Sequence, residues 1–327
     1  MKVLVTGSSG HLGEALVRTL REQGKEVVGI DILPSPYTSV VGSVANRELV
    51  DGCMRGVETV FHAATLHKPH VATHRRQEFV DTNISGTLAL LEAAVEFGVR
   101  SFVFTSTTSA FGSALVPPPG APAAWVTEDV PPVPKNIYGA TKSAAEDLCQ
   151  IVHRKHRLPC IVLRTSRFFP EEDDNRQTRE SYPDENAKVN EYLYRRVDIE
   201  DVVSAELLAA ERAPAIGFAK YIVSATSPFT RDDLAELRRD APAVVRRHAP
   251  EYEAEYARRG WKMFSEIDRV YVNERARREL GWEPRHDFRS ILARLEADGD
   301  SRSALARAVG SKGYHAQVFA DGPYPVD

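Results

Sequence analysis

Tyr138 and Lys142 stand four residues apart in NIYGATKSAAEDL, residues 136–148. Ala144, Ala145 and Leu148 continue the stretch at helical spacing, so both side chains leave one face of a helix. A phenol with a pKa of about 10 is a poor base near neutrality. An ammonium one turn away favours the phenolate and turns the tyrosine into a group that can take a proton. Taken alone, the pair reads as a core tyrosine beside an exposed lysine. What the rest of the chain positions around it decides between the two.

The first positioning element is TGSSGHLG, residues 6–13. Lys2 to Thr6 reads as a short buried strand, and Leu12, Ala15, Leu16, Thr19 and Leu20 recur at helical spacing. Gly7, Gly10 and Gly13 therefore lie between a strand and a helix. Gly7 allows a sharp turn, Gly10 lets backbone approach a pyrophosphate, and Gly13 lets the helix pack close to the sheet. The helix start, at His11 and Leu12, faces the phosphates. The next strand, Glu26 to Ile30, ends in Asp31, whose carboxylate accepts from adenosine ribose hydroxyls. It would repel a 2'-phosphate, and Ile32, Leu33 and Pro34 supply no arginine to compensate. The expected cofactor is NAD rather than NADP.

Strand-like and helix-like segments alternate onward: Val57 to His62, a helix from about Asn83 to Phe97, then Ser101 to Thr105. Alternation of this kind argues for an α/β fold with a parallel, doubly wound sheet and a ligand site beyond the carboxyl ends of its strands. The residues there are HAAT (62–65), TSTTSAFG (105–112) and LRTSRFF (163–169). The proline-rich stretch between the last two reads as a surface loop bordering the site.

With 327 residues, 43% of them hydrophobic, and a formal charge of −4, the chain is expected to be a soluble globular protein with no basic field for nucleic acid. Cys53, Cys149 and Cys160 form no metal-spaced pattern and read as buried thiols, which fits a reducing cytoplasm. The absence of a leader-like start or a long apolar run argues against secretion and membrane insertion.

In TGSSGHLG, Asp31, HAAT, DTNISGTLALLEAA (81–94), STTSAFG, YGATK and RARRELGWEP (275–284), the chain resembles the extended branch of the short-chain dehydrogenase/reductase superfamily, the group of nucleotide-sugar epimerases and dehydratases. The resemblance implies a Rossmann-type NAD domain (1–166 with 197–226) and a smaller substrate lobe (167–196 with 227–327). It implies NAD contacts from the glycine turn, Asp31, Ile32, Ser43, Val44, Ala63, Ala64, Thr65, Asn83, Thr105, Ser106, Tyr138 and Lys142. Thr107 is its catalytic hydroxyl, with Ser106 the alternative, and Thr107 and Thr108 meet the substrate. Tyr138 moves the hydroxyl proton, Thr107 bonds the same oxygen, and Lys142 lowers the phenol pKa, aided by an oxidised nicotinamide, while holding the nicotinamide ribose. Asn83 is an N-cap, a prop for the site, or both. A homodimer through the helices near 83–97 and 138–156 is also implied.

Departures from the family narrow the chemistry. Thr108 and Ser109 replace the acids that follow the threonine in dehydratases, which disfavours 4,6-dehydration. Three residues after Arg164, where relatives carry a substrate-binding Asn, stands Arg167. It is suited to a diphosphate, to a sugar carboxylate, or to a salt bridge with Glu171, Glu172, Asp173 or Asp174. The stretch from Arg167 to residue 195 is short and lacks a glycine-containing hairpin. Asp198 and Asp201 are expected to fix a loop and a helix start, and Thr230 with Asp233 to form a capping box. Residues 231–260, with Tyr252 and Tyr256, read as a solvated, lid-like helical pair. The tail 311–327 is expected to fold back, with Tyr314, His315 and Phe319 packing rather than bordering substrate. His62, His67, His70 and His74 show no metal-ligand spacing, and no metal is expected. The resulting expectation is an epimerase of a sugar or sugar nucleotide. The alternatives are a sugar or uronic-acid dehydrogenase and, last, a non-catalytic NAD-binding regulator.

Overall fold

Val3, Leu4 and Val5 are wholly excluded from water because the strand that holds them, β1 (Lys2–Thr6), runs through the middle of a seven-stranded parallel sheet. The other sheet strands are β2 (Glu26–Asp31), β3 (Val40–Val41), β4 (Val57–His62), β5 (Ser101–Thr107), β7 (Cys160–Thr165) and β8 (Phe218–Val223). A separate parallel pair joins β6 (Ala124–Val126) to β9 (Arg269–Tyr271). The sheet order is β3-β2-β1-β4-β5-β7-β8, so the chain winds outward from β1 in one direction and then resumes at β4 in the other. This is the doubly wound α/β arrangement expected from the alternation. The reversal between β1 and β4 opens a crevice at their carboxyl ends. The computed structural model describes residues 1–315 and 319.

Each face of the sheet has its own core. Helices His11–Glu22 and Ile199–Ile216 cover one face, packing Leu16, Leu20, Val202 and Ala209 on Phe61 and Leu163. Helices Arg47–Met54, Gly86–Glu96 and Ile137–His156 cover the other, packing Leu90, Leu91, Ala145 and Cys149 on Phe102 and Phe104. All three cysteines are buried and unpaired. Leu280, Trp282 and Val309, late in the chain, join the first of these cores. Asp198 caps the helix Ile199–Ile216, and Asp201 accepts from the Arg285 and His286 amides at 2.9 Å, the two fixing roles expected of them.

Two expectations are corrected. The chain becomes helical at Arg76, not near Asn83, and passes through a wide π turn, Val80–Ser85, before Gly86–Glu96. Asn83 therefore caps nothing. The solvated pair at 231–260 is instead a set of short helices, Leu234–Leu237, Ala241–His248 and Tyr252–Arg259. Each turns one face inward, so that Leu237, Val244, Val245, Tyr252 and Tyr256 build a further core with Phe288, Ile291 and Leu295. The many charges hid this because they lie on the outer faces, as Arg246 with Glu253 does. The Thr230–Asp233 capping box is present, the Thr230 amide donating to Asp233 at 2.8 Å.

A β-carbon on Gly13 would lie 1.9 Å from the Gly7 carbonyl oxygen, whereas one on Gly52, inside Arg47–Met54, would meet nothing within 4 Å. Thermal melts should separate the two. Gly13→Ala is expected to lose about 3 kcal/mol through overpacking, and Gly52→Ala to gain up to about 1 kcal/mol from helix propensity.

Candidate active site

A cavity of about 790 Å³ opens at the carboxyl ends of β1, β2, β4 and β5. Gly7, Gly10, His11, Leu12, Gly13, Asp31, Ile32, Ser43, Val44, Ala63, Ala64, Thr65, Thr105, Ser106, Thr107, Thr108, Tyr138, Lys142 and Arg167 all line it. Asn83 does not. It is buried behind the wall, where Oδ1 accepts from the Thr65 hydroxyl at 2.9 Å and the Leu66 amide at 2.8 Å, and Nδ2 donates to Thr141 at 3.0 Å. Its contribution is to prop the loop after β4.

At the glycine turn, Gly7 sits at φ +72°, and a β-carbon there would come within 2.8 Å of the Ala64 amide nitrogen. Backbone thus replaces side chains where the helix His11–Glu22 points into the cavity, an arrangement suited to a pyrophosphate. Asp31 is fixed at the end of β2, Oδ2 accepting from the Ser9 amide at 3.0 Å and Oδ1 from the Leu33 amide at 2.9 Å. The turn, the acid at the end of β2 and the exposed apolar wall of Ile32 and Leu33 fit a dinucleotide.

Thr107 is the last residue of β5, and Tyr138 is the second residue of Ile137–His156, a helix whose start is set by Asn136 capping the Gly139 amide at 3.1 Å. The Thr107 hydroxyl lies near Tyr138 and accepts from the Ser109 amide at 3.1 Å. Side chains alternate along a strand, so Thr105 faces the helix Ile199–Ile216 and Ser106 faces Ile137–His156. The Ser106 hydroxyl donates to Glu146 at 2.6 Å. That leaves Thr107 as the hydroxyl beside the tyrosine.

Lys142 is only 2% exposed. Its Nζ donates to the Thr105 carbonyl at 2.5 Å and lies 4.0 Å from the centre of the Phe104 ring. Burial lowers it to about 7, against the attraction of Glu146 and Glu206. Burial likewise raises Tyr138 to about 12, and only Thr107 acts in the opposite sense, so the lowering of the phenol expected from Lys142 is not what the structure shows. Burial would raise Glu146 too, but the Arg164 fork, with Nη2 at 2.7 Å, and Lys220 at 3.0 Å more than offset it and hold that carboxyl below its ordinary range.

The end of the cavity away from Asp31 is lined by His67, His70, His74, Phe169, Tyr271, Arg195 and Arg269 as well as Arg167. Of the three readings of Arg167, the salt bridge is what forms, although its partners are Asp173 at 2.7 Å, Glu191 at 3.3 Å and Asp174 at 3.8 Å rather than Glu171 or Glu172. Glu171 instead anchors the tail. It accepts from the Ser311 hydroxyl at 2.8 Å and from the Lys312 and Gly313 amides, while Lys312 pairs with Glu14. Tyr314 consequently packs, its ring 5.8 Å from that of His67 and 5.9 Å from that of Phe169, and also lines the cavity. His315 packs against Phe319 and the Pro69 carbonyl. Positions 316–318 and 320–327 of the tail lie outside the described residues.

His67 is 6.0 Å from the Tyr138 ring, and burial lowers it to about 3, so it is neutral. His62 is buried between Thr6 and Thr87 and is also lowered to about 3 by burial. Among the described residues one group has ligand atoms close enough for a cation, Asp198, Glu200 and His286, all within 4.8 Å. Its donors already serve the fold: Asp198 takes the Ser303 hydroxyl at 2.6 Å, and His286 Nδ1 takes Arg294 at 2.5 Å. The sequence reading missed Glu146, Glu206, Arg195 and Arg269. For Glu206 a signal existed, a lone acid in the apolar run VVSAELLAA.

The sheet order, the glycine turn and the tyrosine–lysine helix together define a dinucleotide-binding enzyme fold. The family model "NAD dependent epimerase/dehydratase family" matches residues 3–217, and the chain belongs to that family. NAD is accordingly its cofactor. The chain is 39% identical over 118 residues to a 3-beta-hydroxysteroid dehydrogenase of Mycolicibacterium neoaurum, covering 33% of this chain and 32% of that one. It is 31% identical over 173 residues to a UDP-glucose 4-epimerase of Azospirillum brasilense, covering 50% and 48%. The matches thus span a third to a half of these curated relatives. A short-chain dehydrogenase/reductase superfamily protein from Agrobacterium tumefaciens, solved with bound NAD, superposes with a TM-score of 0.63 at 25% identity over 94% of this chain and 99% of that one.

Asp31 generates a cofactor test. Calorimetric titration is expected to give tighter binding of NAD than of NADP, and Asp31→Ser is expected to narrow the gap by removing the charge that opposes a 2'-phosphate. Equal affinities in the unaltered protein would refute this assignment.

Proposed function

We propose that the protein is an epimerase that inverts a carbinol centre of a sugar or sugar nucleotide, with Thr107, Tyr138 and Lys142 as its reacting set. Thr107 and Tyr138 converge on one substrate oxygen. Tyr138 takes the hydroxyl proton, and Lys142, one helical turn away, would hold the ribose of the cofactor and place a positive charge beside the site. When bound, NAD supplies the hydride acceptor and donor. Once the oxidised substrate has turned over in the cavity, Tyr138 would return the proton to the same oxygen.

The observation that carries epimerase over net dehydrogenase is the strap at residues 311–315, clasped by Glu14 and Glu171, with Lys312, Gly313 and Tyr314 lining the cavity. An epimerase consumes no cofactor and gains from retaining it, whereas a dehydrogenase must release it every cycle. The similarity to a hydroxysteroid dehydrogenase, together with the arginines at the far end, supports a second reading, a dehydrogenase of a sugar or uronic acid. The proposal extends to a cytoplasmic homodimer. Gly86–Glu96 and Ile137–His156 pack side by side and leave Phe97 and Ile151 exposed, and the three thiols are free. No helix among the described residues is long and apolar enough to cross a membrane.

Two measurements test the reading. Tyr138→Phe is expected to lower turnover by about 10²–10⁴-fold while leaving NAD affinity nearly intact, and unchanged turnover would remove Tyr138 from its role. Purified protein is expected to carry NAD and to accumulate no NADH when incubated with free sugars, nucleotide-linked sugars and uronic acids, while inverted product appears. Stoichiometric NADH release would establish the dehydrogenase instead.

A further inference from the structure

Glu206 is wholly buried on the helix Ile199–Ile216, between Ala205 and Leu207. Its Oε1 accepts from the Thr105 hydroxyl at 2.6 Å, and its Oε2 has no hydrogen-bond partner among the described residues. A carboxyl group with one hydrogen bond in apolar surroundings is unfavourable there, and packing alone would be better served by an alanine or a leucine. Thr105, its partner, is also the residue whose carbonyl accepts from Lys142 Nζ at 2.5 Å. A single residue of β5 therefore connects the lysine on one face of the sheet to the acid on the other.

We propose that Glu206 is the counter-charge of Lys142, acting across β5 through Thr105, and that it keeps the active-site lysine an ammonium. It is a positioning residue, since it lies behind the strand and works through Lys142. The proposal rests on the reading of Tyr138 and Lys142 as the reacting pair.

Glu146 acts on the lysine more strongly than Glu206, but it is shared with other cations, which leaves a part to Glu206. From its own helix Lys142 faces Glu146 and Cys149, and from across the strand Glu206. The charge of Glu146 is already matched by Arg164 on β7 and Lys220 on β8. Cys149 is a buried thiol, and the nearby imidazoles, His62 and His67, are neutral. Around Glu206, burial raises its ionisation to about 7, while the Thr105 hydrogen bond and the charge of Lys142 act the other way. Lysine and acid thus titrate in the same range, where each one's charge supports the other's. With Glu206 ionised, Lys142 keeps its proton to higher pH. With a neutral group in its place, Lys142 loses its proton earlier and Tyr138 loses the positive charge one helical turn away.

The test reads Lys142 directly and needs no substrate. Protein labelled with ¹³C at the lysine ε-carbons is titrated by NMR, and Lys142→Met identifies the resonance. Glu206→Gln is expected to lower the Lys142 midpoint by about one pH unit or more, a tenfold change in proton affinity. Glu206→Asp, which keeps the charge, should remain within about half a unit of the unaltered protein. Thr105→Val removes the single hydrogen bond to Glu206, favours the neutral acid, and should shift Lys142 in the same downward direction. It serves as the second variant if the glutamine protein does not fold. A midpoint unmoved in the folded variants overturns the proposal. On turnover, the alkaline limb of kcat should fall by the same interval. A lysine that shifts in a protein that converts no sugar would leave the counter-charge standing and remove the functional reading instead.

Discussion

A lysine ammonium with almost no access to water is unfavourable unless its surroundings are rebuilt to suit it, and the carboxyl ends of β4, β5 and β7 are rebuilt around Lys142. The Thr105 carbonyl and the Phe104 ring receive the head group. Glu146, one turn further along the helix, adds a negative charge that would itself be unfavourable, and Arg164 forks it from β7. Arg164 then lies over the Phe111 ring at 4.7 Å and donates to the Glu128 carbonyl, while Lys220 closes the group from β8. Each charge is tolerable because of the next, so the set extends over three strands, a helix and two connecting segments although the chemistry concerns one amine. Breaking such a set by removing one member costs more than the set contributes as a whole.

The sheet makes this possible by bringing strand ends to one level. Thr6 lies in register with Ile30 on one side and His62 on the other, and His62 with Phe104. β5 and β7 run three residues past that level, to Thr107 and Thr165. The shared level floors the cofactor side of the cavity, and the overhang carries the hydroxyl that meets Tyr138. Alternation along the overhang then distributes Thr105 and Ser106 to two different buried acids, which is how one short strand serves both faces.

Much of this was legible in the residues. The glycine turn, Asp31 and the Tyr138–Lys142 spacing are local patterns whose geometry follows from a strand, a turn and a helix, and each lines the cavity as expected. Asn83 was misplaced because a π turn leaves no strong sequence mark: VDTNIS reads as well for a helix start as for a widened interior. Residues 231–260 read as solvated because short helices dilute their inward faces with charge, and Tyr252 with Tyr256 is the better signal. Arg167 found Asp173 and Glu191 rather than its nearer acids because the choice depended on how the chain folds between them, which spacing does not encode. Glu206 belongs to the same class, since its partner is 101 residues away on another element.

The strap has a consequence for the order of events during synthesis. Lys312 closes on Glu14 across 298 residues of chain, and the glycine turn that shapes the cavity floor leaves the ribosome well before it. Loop-closure entropy rises only slowly with such a separation, so the delay is one of sequence rather than of thermodynamics. β1, β2 and β4 can pair as soon as they emerge, long before residues 311–315 exist. Until then the nucleotide crevice lacks the residues 312–314 that complete its lining. Only the emergence of residues 312–314 completes the wall of that compartment.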